Sequence, residues 1–434
     1  MELWQLKAFS ESFHQIIIRS LQGENTSLKM LPSYLSVPDG REQGIYLAVD
    51  FGGTNIRIIK AELLGQGNFR ILQKNSFPLR DKIKTYDFTK FDVSGAELFG
   101  FIAEQIEKMI TPHDCYPSLG FTFSFPSRQT GINQAVLLKW TKEIETSGVV
   151  GQDVGELLAR ALEKTKLFPI KTAVIINDTV GTLLAGAYQD KNSDIASICG
   201  TGHNTCYLEP CAPLTGKPMI INLESGNFDL LPLNKYDRQL DLASHNPGEQ
   251  LLEKITGGYY LGEHFRLITL DYIKDFKTLS PYSVKTEDLV LLLADISPDL
   301  NDIKKWLSTK PGLNGISLKE RKTLQNIAAS VISRSAQLIA ATFAGILKHI
   351  DPCLNKEHTI AIDGSLYEHL PGYAEQLKET LALLLGERNN LVTIKLFKDG
   401  SGVGAAIAAS IVTQDLGCKS IIRTQDCHSY LDNK

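Results

Sequence analysis

An approximate internal repetition constrains this chain more than any other feature. One strand-like run ends at Gly53-Thr54 and a second at Gly200-Thr201, and each half later reaches a strand-like run closing on an aspartate, Asp178 or Asp363. These are read as two diverged copies of one α/β unit, which predicts two lobes across a central cleft. The length agrees, since 434 residues suit domains of about 100–200 residues each. The expected small lobe is 45–177, completed by a helix within about 404–434, and the large lobe is 1–44 with 178–403.

Periodicity fills in the elements. Residues 3–22 space their apolar positions like one helical face, and Pro32, Pro38 and Gly40 then break the chain. Three β-type runs, IYLAVD, IRIIKAEL and FRILQKNSF, form a meander with Gly-containing turns. A helix over 95–110, a strand at 119–125, a helix around 152–165 and a buried strand at 173–176 follow. After residue 194 a comparable order recurs, and a long periodic segment, 319–350, reads as a packed scaffold helix.

Charge and cysteine usage exclude several classes. With 45 Lys+Arg against 49 Asp+Glu, the net charge of −4 offers no handle for a phosphodiester backbone, so nucleic acid is not an expected partner. No run of about 18–20 uninterrupted apolar residues suggests a membrane span, and Met1–Ser20 carries five titratable side chains in place of a signal core. Seven cysteines without a CxxC pair predict reduced thiols and a cytoplasmic protein. No HExxH or Cys/His spacing predicts a zinc site.

Several segments carry candidate chemistry. In Asp50-Phe51-Gly52-Gly53-Thr54-Asn55 a buried strand ends in a carboxylate and two glycines, so the turn is either a plain hairpin or an anion nest with Asp50 holding a hydrated Mg²⁺. Gly200-Thr201-Gly202 repeats that form, which favours a pair of opposed phosphate clamps. Gly400-Ser401 opens a third turn formally matching GxGxxA. Only thirty residues follow Gly404, too few for a dinucleotide fold, so a helix N-terminus near a nucleotide fits better. Asn177-Asp178 precedes a helix; a lone Asp there reads first as an N-cap, and an ionised Asp can also accept a hydroxyl proton. Ser124, Thr141 and Lys142 lie among aromatics, and Glu224 and Glu253 add carboxylates of the kind that grip sugar hydroxyls, although singly each reads as a solvated surface charge.

These segments together resemble the eukaryotic-type hexokinases. LAVDFGGTNIRI, LGFTFSFP, LLKWTKEI, INDTVGTLLAGAY, GTGHNTCYLE, NPGEQLLEKITGGYYLGE, AIDGSLYEHLPG and DGSGVGAAI, with MLPSYLSVPDG before them, look like that family's successive signatures from about residue 30 to 412. The resemblance implies a two-lobed, actin-like (ribonuclease H-like) ATPase fold, and ATP- and Mg²⁺-dependent phosphorylation of a hexose, glucose first, at its 6-hydroxyl. It casts Asp178 as catalytic base with Lys142 beside it. Ser124, Thr141, Lys142, Asn177, Asp178, Asn204, Glu224 and Glu253 become the sugar shell. Asp50, Gly52, Gly53, Thr54, Asn55, Arg57, Thr182, Gly200, Thr201 and Gly202 become the phosphate side, with Asp363, Gly364, Ser365, Gly400 and Ser401 toward adenosine. A monomer or homodimer that closes on its sugar is expected; the rivals are a hexose sensor with little turnover and an ATPase with a protein client.

Three positions depart from the resembled pattern. Ser225 stands where a Trp usually follows Asn-x-Glu, His203 where a small residue is common, and Val403 where a basic residue is common. His203 reads as a space filler or a titrating donor, and Val403 implies weaker adenine-side affinity or acceptance of a different nucleotide.

Overall fold

The computed structural model describes residues 1–81, 83, 86–110, 118–141, 144–165, 171–313 and 315–415. Cys115, Lys142, Cys418 and Cys427 lie outside them. The chain divides into two compact units. One, here the Asp50 unit, holds 31–196, 206–222 and the chain from 397; the other, the Glu253 unit, holds 1–30, 197–205 and 223–396. The helix that begins at Asp178 thus groups with the strands before it.

The meander forms as read. Strands Gln43–Phe51, Asn55–Gly65 and Asn68–Pro78 pair antiparallel, and Ser118–Phe123 then Lys171–Ile176 add in parallel on the other side of the first strand. Numbered within the sheet, the order is 5-4-1-2-3. The second sheet repeats it with strands Ser193–Cys199, His203–Glu209, Met219–Asn222, His358–Asp363 and Val392–Leu396, plus Leu31–Pro32 at the edge of the third. The expected duplication is therefore a duplication of topology. A hairpin not read in the sequence, Ser127–Gly131 with Gln134–Leu137, follows the strand that carries Thr122.

In the Asp50 unit, Leu47, Val49, Phe121 and Phe123 alternate onto a core shared with helix Gly95–Glu107, which begins with a Ser94/Glu97 capping box. Phe51, Phe123, Phe125 and Trp140 cluster with ring centroids 4.9–6.2 Å apart, and the Trp140 indole donates to the Thr146 carbonyl at 2.8 Å. Helix Gly400–Asp415 packs beside helix Asp178–Gln189 so closely that a Cβ on Gly404 would lie 1.9 Å from the Gly181 carbonyl oxygen.

The Glu253 unit is built on helix Leu318–Ile350, started by a Ser317/Glu320 capping box. It is long and apolar enough to pass as a membrane span, yet 72% of that window is buried in the protein, which marks it as a core helix. Helix Leu3–Leu21 lays Leu6, Phe9, Phe13, Ile16 and Ile17 inward, the face read from the sequence.

Two glycine substitutions should move stability in opposite directions. Gly404→Ala should cost on the order of 1–3 kcal/mol through overpacking against backbone. Gly100→Ala, in a helix where the new methyl meets nothing within 4 Å, should stabilise by about 0.5–1 kcal/mol. Thermal unfolding of both variants checks the pair.

Candidate active site

In the Asp50 unit, register places Asp50 opposite Arg57 on one neighbouring strand and Thr122 on the other. Asp50 is 4% exposed, and its Oδ2 accepts from Arg57 Nη1 at 3.1 Å and Ser401 Oγ at 2.9 Å. Thr122 Oγ1 donates to the Ser401 carbonyl at 2.9 Å. Burial raises the Asp50 carboxyl above its ordinary range; Arg57 and the Ser401 hydroxyl pull it back, and the charge of Asp178 pushes it up again. Two motifs 351 residues apart therefore meet on one carboxylate. Ser401, grouped with the adenosine side in the sequence, spends its hydroxyl on Asp50.

The turn after Asp50 is closed by Gly52 N donating to the Asn55 carbonyl at 3.1 Å. Gly53 and Thr54 N–H have no backbone acceptor among the described residues, so the hairpin retains donors for an anion. Thr54 is exposed, and Asn55 Nδ2 donates to its hydroxyl at 3.1 Å.

The cap reading for Asp178 is corrected. Asn177 is the N-cap, with extended φ −84° and ψ 162°, and its Oδ1 accepts from Thr179 N at 2.9 Å and Thr179 Oγ1 at 2.8 Å. Asp178 is the first helical residue and half-buried. Its Oδ1 takes Thr179 N at 2.8 Å, whereas Oδ2 has no partner among the described residues. Thr182 Oγ1 donates to the Asp178 carbonyl at 3.0 Å and lies beside the backbone of Gly400. Ser124 N donates to the Phe51 carbonyl at 3.2 Å, and Thr141 continues from Trp140 in the aromatic cluster, so both are tied to the Asp50 strand. Val403 is 1% exposed, in the unit's core; a side chain there does not line a nucleotide surface, which corrects the affinity reading.

In the Glu253 unit the Gly200–Gly202 turn is fastened by Gly258 N and Tyr259 N, each donating at 2.9 Å to the carbonyls of Gly200 and Thr201. Gly364, at φ 126°, presses against it: a Cβ there would meet the Cys199 carbonyl oxygen at 2.4 Å. The structure thus joins the Gly200 turn to Asp363-Gly364-Ser365.

Asn204, Glu224 and Glu253 also come together. Asn204 Oδ1 accepts Thr205 N at 2.7 Å and Ser225 N at 3.2 Å, so its amide nitrogen turns toward Glu224, 3.4 Å away. Glu253 Oε2 accepts His203 N at 2.9 Å. Both glutamates are half-buried, which corrects the surface-charge reading. His203 is more than filler. Its Nδ1 donates to the Ile198 carbonyl at 3.2 Å, and its Nε2 meets Ser225 Oγ at 3.4 Å. Sequence reasoning missed this pair and Thr122; a Thr inside the apolar run LGFTFSF was the available signal for the latter.

Comparison with known proteins gives the family and the fold. Two family profiles, each described as Hexokinase, match residues 1–188 and 194–411. "Hexokinase-7" of Oryza sativa subsp. japonica is 38% identical over 425 residues, covering 90% of each chain. A solved structure titled "Crystal structure of Hexokinase" superposes with a TM-score of 0.82 at 32% identity over 94% of this chain and 96% of the other. A glucose-complexed hexokinase from Schistosoma mansoni gives 0.80 at 30% identity, covering 95% and 96%. The fold is the two-domain, actin-like α/β fold of sugar kinases. The chain belongs to the hexokinase family, whose members are kinases transferring phosphate to a sugar hydroxyl.

Burial lowers the His203 pKa to about 4, so folded His203 stays neutral where an unfolded histidine would protonate below about 6.5. Its contribution to stability is therefore undiminished above pH 6.5 and shrinks as pH falls toward 4. His203→Gln should remove roughly 1–2 kcal/mol of the stability difference between pH 7 and pH 5. Denaturant unfolding of both proteins at the two pH values checks this.

Proposed function

We propose that this chain transfers the terminal phosphoryl group of ATP to the 6-hydroxyl of a hexose, with glucose as its substrate and Asp178 as the base. The observation that carries the reading is the division of labour at the helix start: Asn177 satisfies the helix, leaving Asp178 Oδ2 for a substrate hydroxyl. The glucose complex of the Schistosoma mansoni hexokinase, similar over nearly the whole chain, supports the choice of sugar.

Each unit has a part. Asn204 as donor and Glu224 and Glu253 as acceptors bind sugar hydroxyls, with Ser124, Thr141, Asn177 and Lys142 completing the shell. The Gly53 and Thr54 N–H groups and the Gly200–Gly202 turn hold phosphate oxygens, and Arg57 adds positive charge. Asp363–Ser365 and Gly400 serve the nucleoside end. Asp178 takes the hydroxyl proton as that oxygen attacks phosphorus and ADP leaves, so proton and phosphoryl group balance.

Magnesium fits this donor set. Asp50 accepts from Arg57 and Ser401 through Oδ2 and keeps Oδ1 for a metal-bound water. That suits a cation retaining waters and phosphates as its main ligands. When bound, the ion neutralises charge on the phosphoryl oxygens.

We infer further that the protein closes on its hexose and so excludes water from the phosphoryl group. Glucose should then lower the radius of gyration in small-angle scattering and alter Trp140 emission; no change in either removes closure. Asp178→Ala should cut kcat by about 10²–10⁴-fold while thermal stabilisation by glucose persists. Turnover near wild type would take Asp178 out of its role, and glucose binding without ADP formation by the wild type would overturn the kinase reading.

A further inference from the structure

Two of the positions that depart from the resembled family pattern, 203 and 225, are neighbours inside the Glu253 unit. His203 is 2% exposed and Ser225 fully buried, so neither side chain is placed to touch a ligand. The Nδ1 proton of His203 goes to the Ile198 carbonyl, which leaves Nε2 as the acceptor for the Ser225 hydroxyl over a long 3.4 Å hydrogen bond. The main chains of the same residues hold the sugar-side groups: His203 N on Glu253 Oε2 at 2.9 Å, Ser225 N on Asn204 Oδ1 at 3.2 Å.

Little slack surrounds these groups. A Cβ on Gly202 would fall 2.4 Å from Glu253 Oε2, and one on Gly226 would fall 3.0 Å from both the Glu253 Cβ and the His203 carbonyl oxygen. A shift of His203 or Ser225 by a few tenths of an ångström is therefore passed to the Glu253 carboxylate and the Asn204 amide.

We propose that His203 and Ser225 act together as a positioning pair, a buried strap between the Gly200 turn and the Glu224 loop that sets the spacing of Asn204 and Glu253 and so tunes affinity for the hexose. This rests on the sugar-binding reading given above for Asn204 and Glu253.

The test is steady-state kinetics on the full chain with glucose and Mg-ATP, for wild type, His203→Ala, Ser225→Ala, the double variant and His203→Gln. Each alanine variant should raise the glucose KM about 3–10-fold while kcat and the ATP KM change less than 2-fold. The double variant should be no worse than the worse single, because the two act through one contact. His203→Gln, which keeps a donor and an acceptor, should lie closer to wild type than His203→Ala. Unchanged glucose KM in both singles, parallel loss of kcat and ATP KM, or additive effects in the double variant would overturn the pairing. A wild-type enzyme that fails to phosphorylate glucose would overturn the underlying function instead, so the two failures are distinguishable. Should His203→Ala not fold, Ser225→Ala and His203→Gln decide the question by the same split.

Discussion

Burying a carboxylate costs several kcal/mol unless charge and hydrogen bonds replace its water, and the Asp50 unit is arranged around one such carboxylate. Arg57 comes from the next strand by register, and Ser401 from a helix whose sequence begins some 350 residues later. Thr122 holds the Ser401 carbonyl from the strand on the other side. The interaction therefore brings three segments to one point and orients the glycine turn that leaves Phe51. It also places Asp50 close enough to feel the charge of Asp178, the residue assigned to take the substrate proton.

The Glu253 unit meets a related problem with main-chain donors. Two of the side chains proposed to meet the sugar accept from main-chain N–H groups: Glu253 from His203 N, and the Asn204 amide oxygen from Ser225 N. Backbone donors fix geometry while adding no net charge. Beneath them, Lys254 is buried with Asp241 at 2.5 Å and the Asn246 carbonyl at 2.7 Å, which pins the short helix carrying Glu253 from its inner side.

Much of this was legible in the chain itself, for identifiable reasons. Alternating apolar runs located the sheet strands because one-sided burial imposes a period of two, and paired Gly-Thr turns disclosed the duplicated topology. The helix cap was misread because strand and helix are separated by a single residue: Asn177 alone has the extended backbone a cap requires, and propensity does not distinguish Asn from Asp there. Burial of Glu224 and Glu253 depends on chain segments distant in sequence, so no local pattern reports it. The contact between His203 and Ser225 spans 22 residues, and each taken singly looks like an ordinary loop residue. Val403 shows the opposite failure, where a position judged by a motif comparison turns out to be core.

The packing of helix Gly400–Asp415 on strand Ser118–Phe123, where a Cβ on Gly120 would sit 1.9 Å from the Ala405 carbonyl oxygen, has a consequence for biosynthesis. On the ribosome, the strands of this sheet emerge about 220–350 residues before the helix that covers them, a delay on the order of 10–70 s at typical elongation rates. During that interval an apolar sheet face waits without its cover, and the nascent chain is then a natural client for chaperones.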